Sequence, residues 1–414
     1  MDQKNGRKLI LFMPDFISRR KFIGTTALTI SSAVVGAKDG VHHFGRSETS
    51  EKIWVEQKEK DKPKGMRLGS DTDKLYAVKG KGPFAILDYL KAHNFDGAFF
   101  RTMLDISPTL DAGQLKEVKA HADSLGLFLD GGIGWLNPYN TAETPEIRRF
   151  GNGDYRVAVE KMIKAARSID CTELYAVSGH SVHGNPFFIA YDRFRTDVSW
   201  GDQMIAMKKF ITMLSPTLKD LHIRANIETH GDETSFELIR LIEEIGPDIL
   251  GVTLDPGNLP LSGDVPNEAI ERLAPYVHCT HCKDGIMYHS ETGVTQQLRT
   301  VGEGVVDWDR AIEVLGKYNP NLHLCFEDYR AENVIALYDE NWRRHFPELT
   351  DADIKKFEQL ADECQERITK KKILGIAEYN KLPFGDAERL ASYKQGYNYL
   401  KEIIKKKGLG YLGL

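Results

Sequence analysis

The sequence predicts an α/β fold: a (β/α)8 TIM barrel with a mostly helical insertion between its eighth strand and its closing helix. Three observations lead there. From residue 66 onward, short apolar runs alternate strictly with amphipathic helical stretches, which implies parallel strands joined by crossover helices. The apolar runs number eight, the count that closes such a barrel. No glycine-rich phosphate fingerprint follows the first run, which argues against a doubly wound open sheet.

In chain order the expected strands are 66–70, 96–102, 127–133, 173–179, 224–229, 250–255, 277–283 and 321–328. Helical periodicity marks 83–94, 111–125, 154–169, 202–222, 235–245, 267–275 and 307–317 between them. No helix follows the last strand promptly. The best closing helix is 387–407, which leaves 330–386 as an insertion with its own helical pattern at 350–371. An insertion after a barrel strand lies over the C-terminal face, where sites are built. It is expected there as a lid, an oligomer contact or a passive excursion.

The barrel domain spans 66–414, and two segments precede it. Residues 1–37 hold six basic residues against Asp2 and Asp15. Ser18-Arg19-Arg20-Lys21-Phe22-Ile23 opens an uncharged run that ends at Val35-Gly36-Ala37. This resembles a twin-arginine export signal, which implies a bacterial periplasmic or exported protein and the twin-arginine translocase as a transient partner. Residues 38–65, rich in Lys, Glu and Asp with Pro63 and Gly65, read as a linker.

The whole chain carries 55 basic and 60 acidic residues, a net charge of −5. Without the +4 of its first 37 residues the remainder stands at −9. That balance argues against nucleic acid and against an anionic membrane face. Five cysteines, an odd number, form no disulfide framework.

Four expected strands end on side chains that bind metals. They are Asn226-Ile227-Glu228-Thr229-His230, Leu254-Asp255-Pro256-Gly257-Asn258, His278-Cys279-Thr280-His281-Cys282-Lys283-Asp284 and Cys325-Phe326-Glu327-Asp328. Strand residues alternate faces, so each strand can aim one such group into the barrel mouth. Glu228, Asp255, His281 and Glu327 would then bring three carboxylates and an imidazole to one point. Carboxylates held together repel one another, and a divalent cation removes that conflict. Oxygen-rich ligation with one nitrogen suits one Mn²⁺, Mg²⁺ or Co²⁺ ion, with Zn²⁺ as the alternative. Singly, an acid at a strand end is more often a helix N-cap, and Asp284 and Asp328 are candidates for that role.

These motifs, with Val301-Gly302-Glu303-Gly304 and Asp307, resemble the xylose isomerase-like barrel superfamily. The nearest members would be sugar epimerases of the tagatose 3-epimerase type and hydroxypyruvate isomerase. The resemblance implies that Glu228, Asp255, His281 and Glu327 are the metal ligands, and that Glu228 and Glu327 also form the acid/base pair. It implies proton abstraction beside a carbonyl, with the enediolate stabilised by the metal. Same-face return of the proton gives isomerisation, and opposite-face return gives epimerisation.

Around this centre the substrate-binding candidates are His230, His180, Arg101, Asp130, Trp135 and Glu303, with His183 beside His180. His230 lies two residues after Glu228 and so shares its face. True xylose isomerases carry a lysine near there, so the histidine moves the likeness toward epimerases. Asn258 stands where the three-zinc endonuclease IV branch carries an extra histidine, which argues against DNA repair. Cys279 and Cys282 face opposite sides of a strand and cannot share a metal; Cys279 and Cys325 fit the barrel filling, and Cys282 fits the outside. The leading expectation is an exported, metal-dependent isomerase or epimerase of a small sugar or keto-sugar. One alternative is a lyase that cleaves 3-keto-glycosides by β-elimination with the same metal and glutamate pair. A non-catalytic sugar-binding module is the other. Related barrels often pair, so a homo-oligomer is also expected.

Overall fold

The structure, a computed structural model, describes residues 65–141, 144–182 and 190–413. The export signal, nearly all of the linker and His183 lie outside the described residues.

Eight parallel strands form a nearly closed barrel. They are β1 (Arg67–Asp71), β2 (Gly97–Phe99), β3 (Phe128–Trp135), β4 (Glu173–Val177), β5 (Arg224–Glu228), β6 (Leu250–Leu254), β7 (Val277–Thr280) and, after β8 (Asp284–Ser290) and β9 (Gly293–Arg299), β10 (His323–Phe326). Their order is β10-β1-β2-β3-β4-β5-β6-β7. Past the end of β7, the Cys282 amide donates to the Cys325 carbonyl at 2.6 Å and draws the two ends of the sheet together.

Crossover helices follow the expected runs within a few residues, and their ends have local causes. Asp111 accepts from the Gln114 amide to start Ala112–Leu125, and Gly126, at φ 73°, stops it. Thr234 and Glu237 close a capping box on Ser235–Ile245. Pro83 and Pro266 open their helices at a position with no amide partner to lose. The closing helix, Asp386–Lys406, lies one residue from its expected bounds.

Alternation along the strands divides the core into two layers. Ala225 and Ile227 of β5, Val252 and Leu254 of β6, and Leu324 and Phe326 of β10 pack outward with the helices. Phe99, Phe128, Tyr175, Val177, Cys279 and Cys325 fill the barrel, while Cys282 joins the outer layer. All three cysteines are free. The Phe128 ring uses space left by two glycines: a Cβ at Gly97 would lie 2.2 Å from it, and one at Gly69 2.4 Å. Outward packing of Ile227, Leu254 and Phe326 turns the next residues, Glu228, Asp255 and Glu327, toward the axis.

One element was not expected. β8 and β9 form an antiparallel hairpin between β7 and the next crossover helix, and β11 (Glu332–Ile335) pairs with β9. The insertion therefore begins as a strand before the helix Asp351–Thr369. Met287 and Val294 of the hairpin pack with Ile335, Trp342, Phe346 and Phe357 as a second apolar core. Gln296 donates to the Gly257 carbonyl at 2.8 Å, tying the hairpin to the loop after β6.

Asp284 and Asp328 cap no helix. Asp307 caps Trp308–Tyr318 by accepting from the Arg310 amide at 3.0 Å. Asp328 takes the Ser392 hydroxyl instead. Fully buried Asp284 accepts from the amides of Gly285, Gly302, Gly304 and Val306 and from the Trp308 indole, at 2.8–3.3 Å. The Val301-Gly302-Glu303-Gly304 motif is thus a wrapping for this carboxylate. Asp284→Ala strands five donors in a dry setting, so a loss of about 2–4 kcal/mol is expected in urea unfolding. A change within experimental error would mean that water replaces the carboxylate without cost.

Candidate active site

Glu228, Asp255, His281 and Glu327 meet at the C-terminal end of the barrel. One ligand atom from each lies within 4.8 Å of all the others, and all four side chains are buried. His281 Nδ1 stands 2.7 Å from Glu228 Oε1, and the Tyr175 hydroxyl donates to Glu228 Oε2 at 2.9 Å. Asp255 accepts from the Gly257 amide at 3.0 Å and from Asn258 Nδ2 at 2.9 Å. Asn258 thus orients a candidate ligand.

Lys283 lies inside this group. Its ammonium is 2.8 Å from Asp255 and 2.7 Å from Glu327, with the Tyr329 hydroxyl at 3.3 Å. Glu327 also takes a bond from Arg101, which is anchored to Asp71 through Nε at 2.9 Å. Lys74 Nζ approaches Glu327 at 3.6 Å.

The three carboxylates differ electrically. Burial pushes Glu228 up, but the His281 charge and hydrogen bond outweigh it and bring it down to about 2. Burial likewise opposes the ionisation of Glu327, and Lys283 and Arg101 overcome it, holding that carboxyl well below the usual range. For Asp255, burial and the neighbouring glutamates prevail over Lys283 and raise it to about 7. Partnership with Glu228 raises His281 against the effect of its burial.

The donor set fits a divalent cation. Three carboxylates offer anionic oxygens, and His281 Nε2, buried, has no hydrogen-bond partner among the described residues. Its Nδ1 lies against Glu228, so the imidazole stands among the carboxylates with a nitrogen available to an ion.

Not every expected residue joins this centre. His230 does, from the face it shares with Glu228. Its Nδ1 pairs with Asp232 at 2.9 Å and its Nε2 lies 3.3 Å from the Ser181 hydroxyl. Burial lowers this imidazole, but Asp232 dominates and raises it to about 9. Arg101 joins through Glu327. Trp135 donates to the Gly179 carbonyl at 3.1 Å, and its ring lies 5.7 Å from that of His180, so these two form one wall after β3 and β4.

Asp130 and Glu303 do not join. Asp130 is bound at 2.8 Å by His323, the first residue of β10 and so at the opposite end of that strand from Glu327. Glu303 accepts from Gln395 of the closing helix at 2.9 Å, because its loop is folded around Asp284. Asp71, Lys74, Tyr175, Asp232, Lys283 and Tyr329 were not foreseen. Two of them had a readable signal. Asp71 ends β1 as the other acids end their strands, and Lys283 follows His281 by two residues.

A parallel eight-stranded barrel with a buried carboxylate–imidazole centre at the C-terminal end of its strands defines the class. The model of the family described as xylose isomerase-like TIM barrel matches residues 87–346, and the chain belongs to that family. Over 151 residues it is 26% identical to the 3-oxo-isoapionate decarboxylase of Pectobacterium atrosepticum, a match covering 35% of this chain and 54% of that protein. The chain spans about half the length of the curated relatives it matches. Among solved structures it is similar to a 3-keto-D-glucoside 4-epimerase from E. coli, at 16% identity and TM-score 0.47, covering 69% of this chain and 98% of that one. A xylose isomerase-like TIM barrel protein from Mycobacterium smegmatis in complex with magnesium is 13% identical at TM-score 0.49, covering 71% and 97%.

Proposed function

We propose that this protein is a divalent-metal-dependent sugar isomerase or epimerase that removes and returns a proton beside a carbonyl. The observation that carries this reading is the buried meeting of Glu228, Asp255, His281 and Glu327 within 4.8 Å. A divalent ion held by these four groups, Mn²⁺, Mg²⁺ or Co²⁺ by its donor chemistry, would supply positive charge where an oxygen becomes anionic as the proton leaves carbon.

The chain's own residues supply the proton transfers. β5 and β10 are separated by β6 and β7 in the ring, so Glu228 and Glu327 reach the centre from different walls. One carboxylate removes the proton and the other returns one to carbon. Tyr175 and His281 fix Glu228, while Arg101 and Lys283 fix Glu327. His230, kept protonated by Asp232 at neutral pH, offers a charged donor to a sugar hydroxyl.

One observation favours a second reading, β-elimination from a keto-glycoside by the same proton abstraction. The hairpin and the insertion extend the wall past the ends of β7 and β10, which suits a substrate longer than one sugar ring.

A solvent-exchange screen tests the proposal. Mn²⁺-loaded protein in deuterated water is expected to place deuterium beside the carbonyl of a free ketose or a 3-keto-glycoside, read by mass spectrometry. Rearranged sugar supports the first reading and released aglycone the second. Absence of exchange across the panel, in protein shown to hold the ion, sinks both and leaves a sugar-binding module.

A further inference from the structure

Asp71 ends β1, the strand beside β10, and its carboxylate is fully buried. Its two oxygens take different partners. Oδ1 accepts from the Asp73 amide at 2.9 Å and so caps the short turn Thr72–Lys74. Oδ2 accepts from Arg101, through Nε at 2.9 Å and through Nη2. The same Nη2 donates to Glu327 Oε1, so one guanidinium nitrogen spans the two carboxylates.

The backbone of Arg101 is held as well. Its carbonyl lies so close to Gly132 of β3 that a Cβ there would stand 2.1 Å from the carbonyl oxygen. On one side the Phe100 amide donates to the Asp130 carbonyl at 2.9 Å, and on the other Thr102 bridges to Ile133. With its main chain fixed on β3 and its Nε edge fixed by Asp71, the guanidinium that reaches Glu327 has little freedom left. Lys74 differs. Its ammonium pairs with Asp73 at 2.9 Å and stands 3.6 Å from Glu327, too far to orient that carboxylate.

A buried ion pair adds little net stability, because the desolvation of both charges offsets their attraction. What the Asp71–Arg101 pair fixes is direction. An unanchored guanidinium would follow Glu327 wherever that side chain moved, whereas an anchored one holds it in place.

We propose that Asp71 is a positioning residue for proton transfer, setting through Arg101 where the Glu327 carboxylate stands. This rests on the reading of Glu327 as one of the two proton-transferring groups and adds the residue that aims it.

Proton exchange by the Mn²⁺-loaded full chain in deuterated water, with D-fructose and methyl 3-keto-glucoside as probes, tests it. Asp71→Asn keeps the shape and still accepts from the Asp73 amide, but it loses the charge that holds Arg101. It is expected to lower kcat by about a hundred-fold, as a displacement of about 1 Å at a reacting group does. KM should hardly change, since binding of the probe is not what Asp71 supports. Arg101→Lys keeps a positive charge beside Asp71 and loses the planar fork that reaches both carboxylates, so it should cost about as much. The variant carrying both substitutions is expected to be no slower than the slower single one, because they break the same link.

Asp71→Glu restores the charge in a longer side chain and is expected to recover part of the rate lost in Asp71→Asn. A merely structural role predicts the opposite order, since the larger side chain strains a fully buried site more. Parent-like kcat in Asp71→Asn, losses that multiply in the double variant, or Asp71→Glu no faster than Asp71→Asn each overturn the proposal. Should Asp71→Asn fail to fold, Arg101→Lys decides: parent-like kcat shows the link to be dispensable and overturns it, and a loss confined to kcat upholds it. Parent-like kcat in Glu327→Gln, or a parent that exchanges neither probe, overturns the underlying reading and this one with it. A slow Glu327→Gln beside a parent-like Asp71→Asn overturns this one alone.

Discussion

Glu327→Gln is expected to lower the rate of proton exchange beside the substrate carbonyl by about a thousand-fold, within the range that one positioned acid or base contributes. The substitution nearly preserves volume, and the amide oxygen still accepts from one of Lys283 and Arg101, which bind different oxygens of the parent carboxylate. What disappears is the basic oxygen. In the parent, Lys283, Arg101 and Lys74 keep Glu327 ionised in spite of its burial. Glu228→Gln is expected to cost as much, since Tyr175 and His281 orient that carboxylate in the same way. The split between the variants carries information. If one variant still exchanges deuterium into substrate but makes no product, the missing residue is the one that returns the proton. Rates within ten-fold of the parent in both variants, with Mn²⁺ still bound, would remove the two glutamates from the chemistry.

Most of the barrel could be read from the sequence because its signals are local. Gly126 after a helical run, Thr234 with Glu237, and the alternation of Ala225-Asn226-Ile227-Glu228 each fix a piece of backbone without reference to distant residues. The same alternation, continued to strand ends, is what made Glu228, Asp255, His281 and Glu327 legible as one centre. The hairpin was not legible. Its second strand reads Val294-Thr295-Gln296-Gln297-Leu298, where two consecutive glutamines break the period of two. Its stability comes instead from Ile335, Trp342 and Phe357, distant in sequence.

Asp130 and Glu303 misled for a related reason. Position in a strand or motif says that a carboxylate exists, while its partner decides where it points. For Asp130 that partner is His323, and for Glu303 it is Gln395. Lys283 is the instructive omission. A lysine between two carboxylates looks like a surface residue in sequence, and only the closure of β7 against β10 buries it.

Ion binding should stabilise the protein strongly above pH 7 and barely at pH 5, and Asp255 sets that dependence. Its carboxyl is raised from 3.8 to about 7 by burial and by Glu327 and Glu228, against Lys283. Below pH 4 the group is protonated in the folded and unfolded chain alike and carries no penalty. Between pH 4 and 7 the ion-free fold holds a proton that the unfolded chain has released, so stability falls as pH rises. Above pH 7 the full penalty stands, on the order of a few kcal/mol. A divalent ion reverses it by supplying the charge that Asp255 lacks, and it must displace the proton to do so. Mn²⁺ affinity should therefore drop about ten-fold for each pH unit below 7, and more steeply where His281 must also give up its proton. Thermal unfolding with and without Mn²⁺ at pH 5 and pH 8 reads both effects. The ion-free protein should melt lower at pH 8 than at pH 5, and excess Mn²⁺ should invert that order. Asp255→Asn keeps the bond from Gly257 or Asn258 and removes this titrating charge, so its drop in melting temperature from pH 5 to pH 8 should shrink to the part due to His230 and His281, and Mn²⁺ should have no effect. His281→Ala should also lose the Mn²⁺ response, while the ion-free variant still melts lower at pH 8 than at pH 5 because Asp255 remains. A Mn²⁺-induced rise of equal size at both pH values, or one that persists in both variants, would place the ion elsewhere in the molecule.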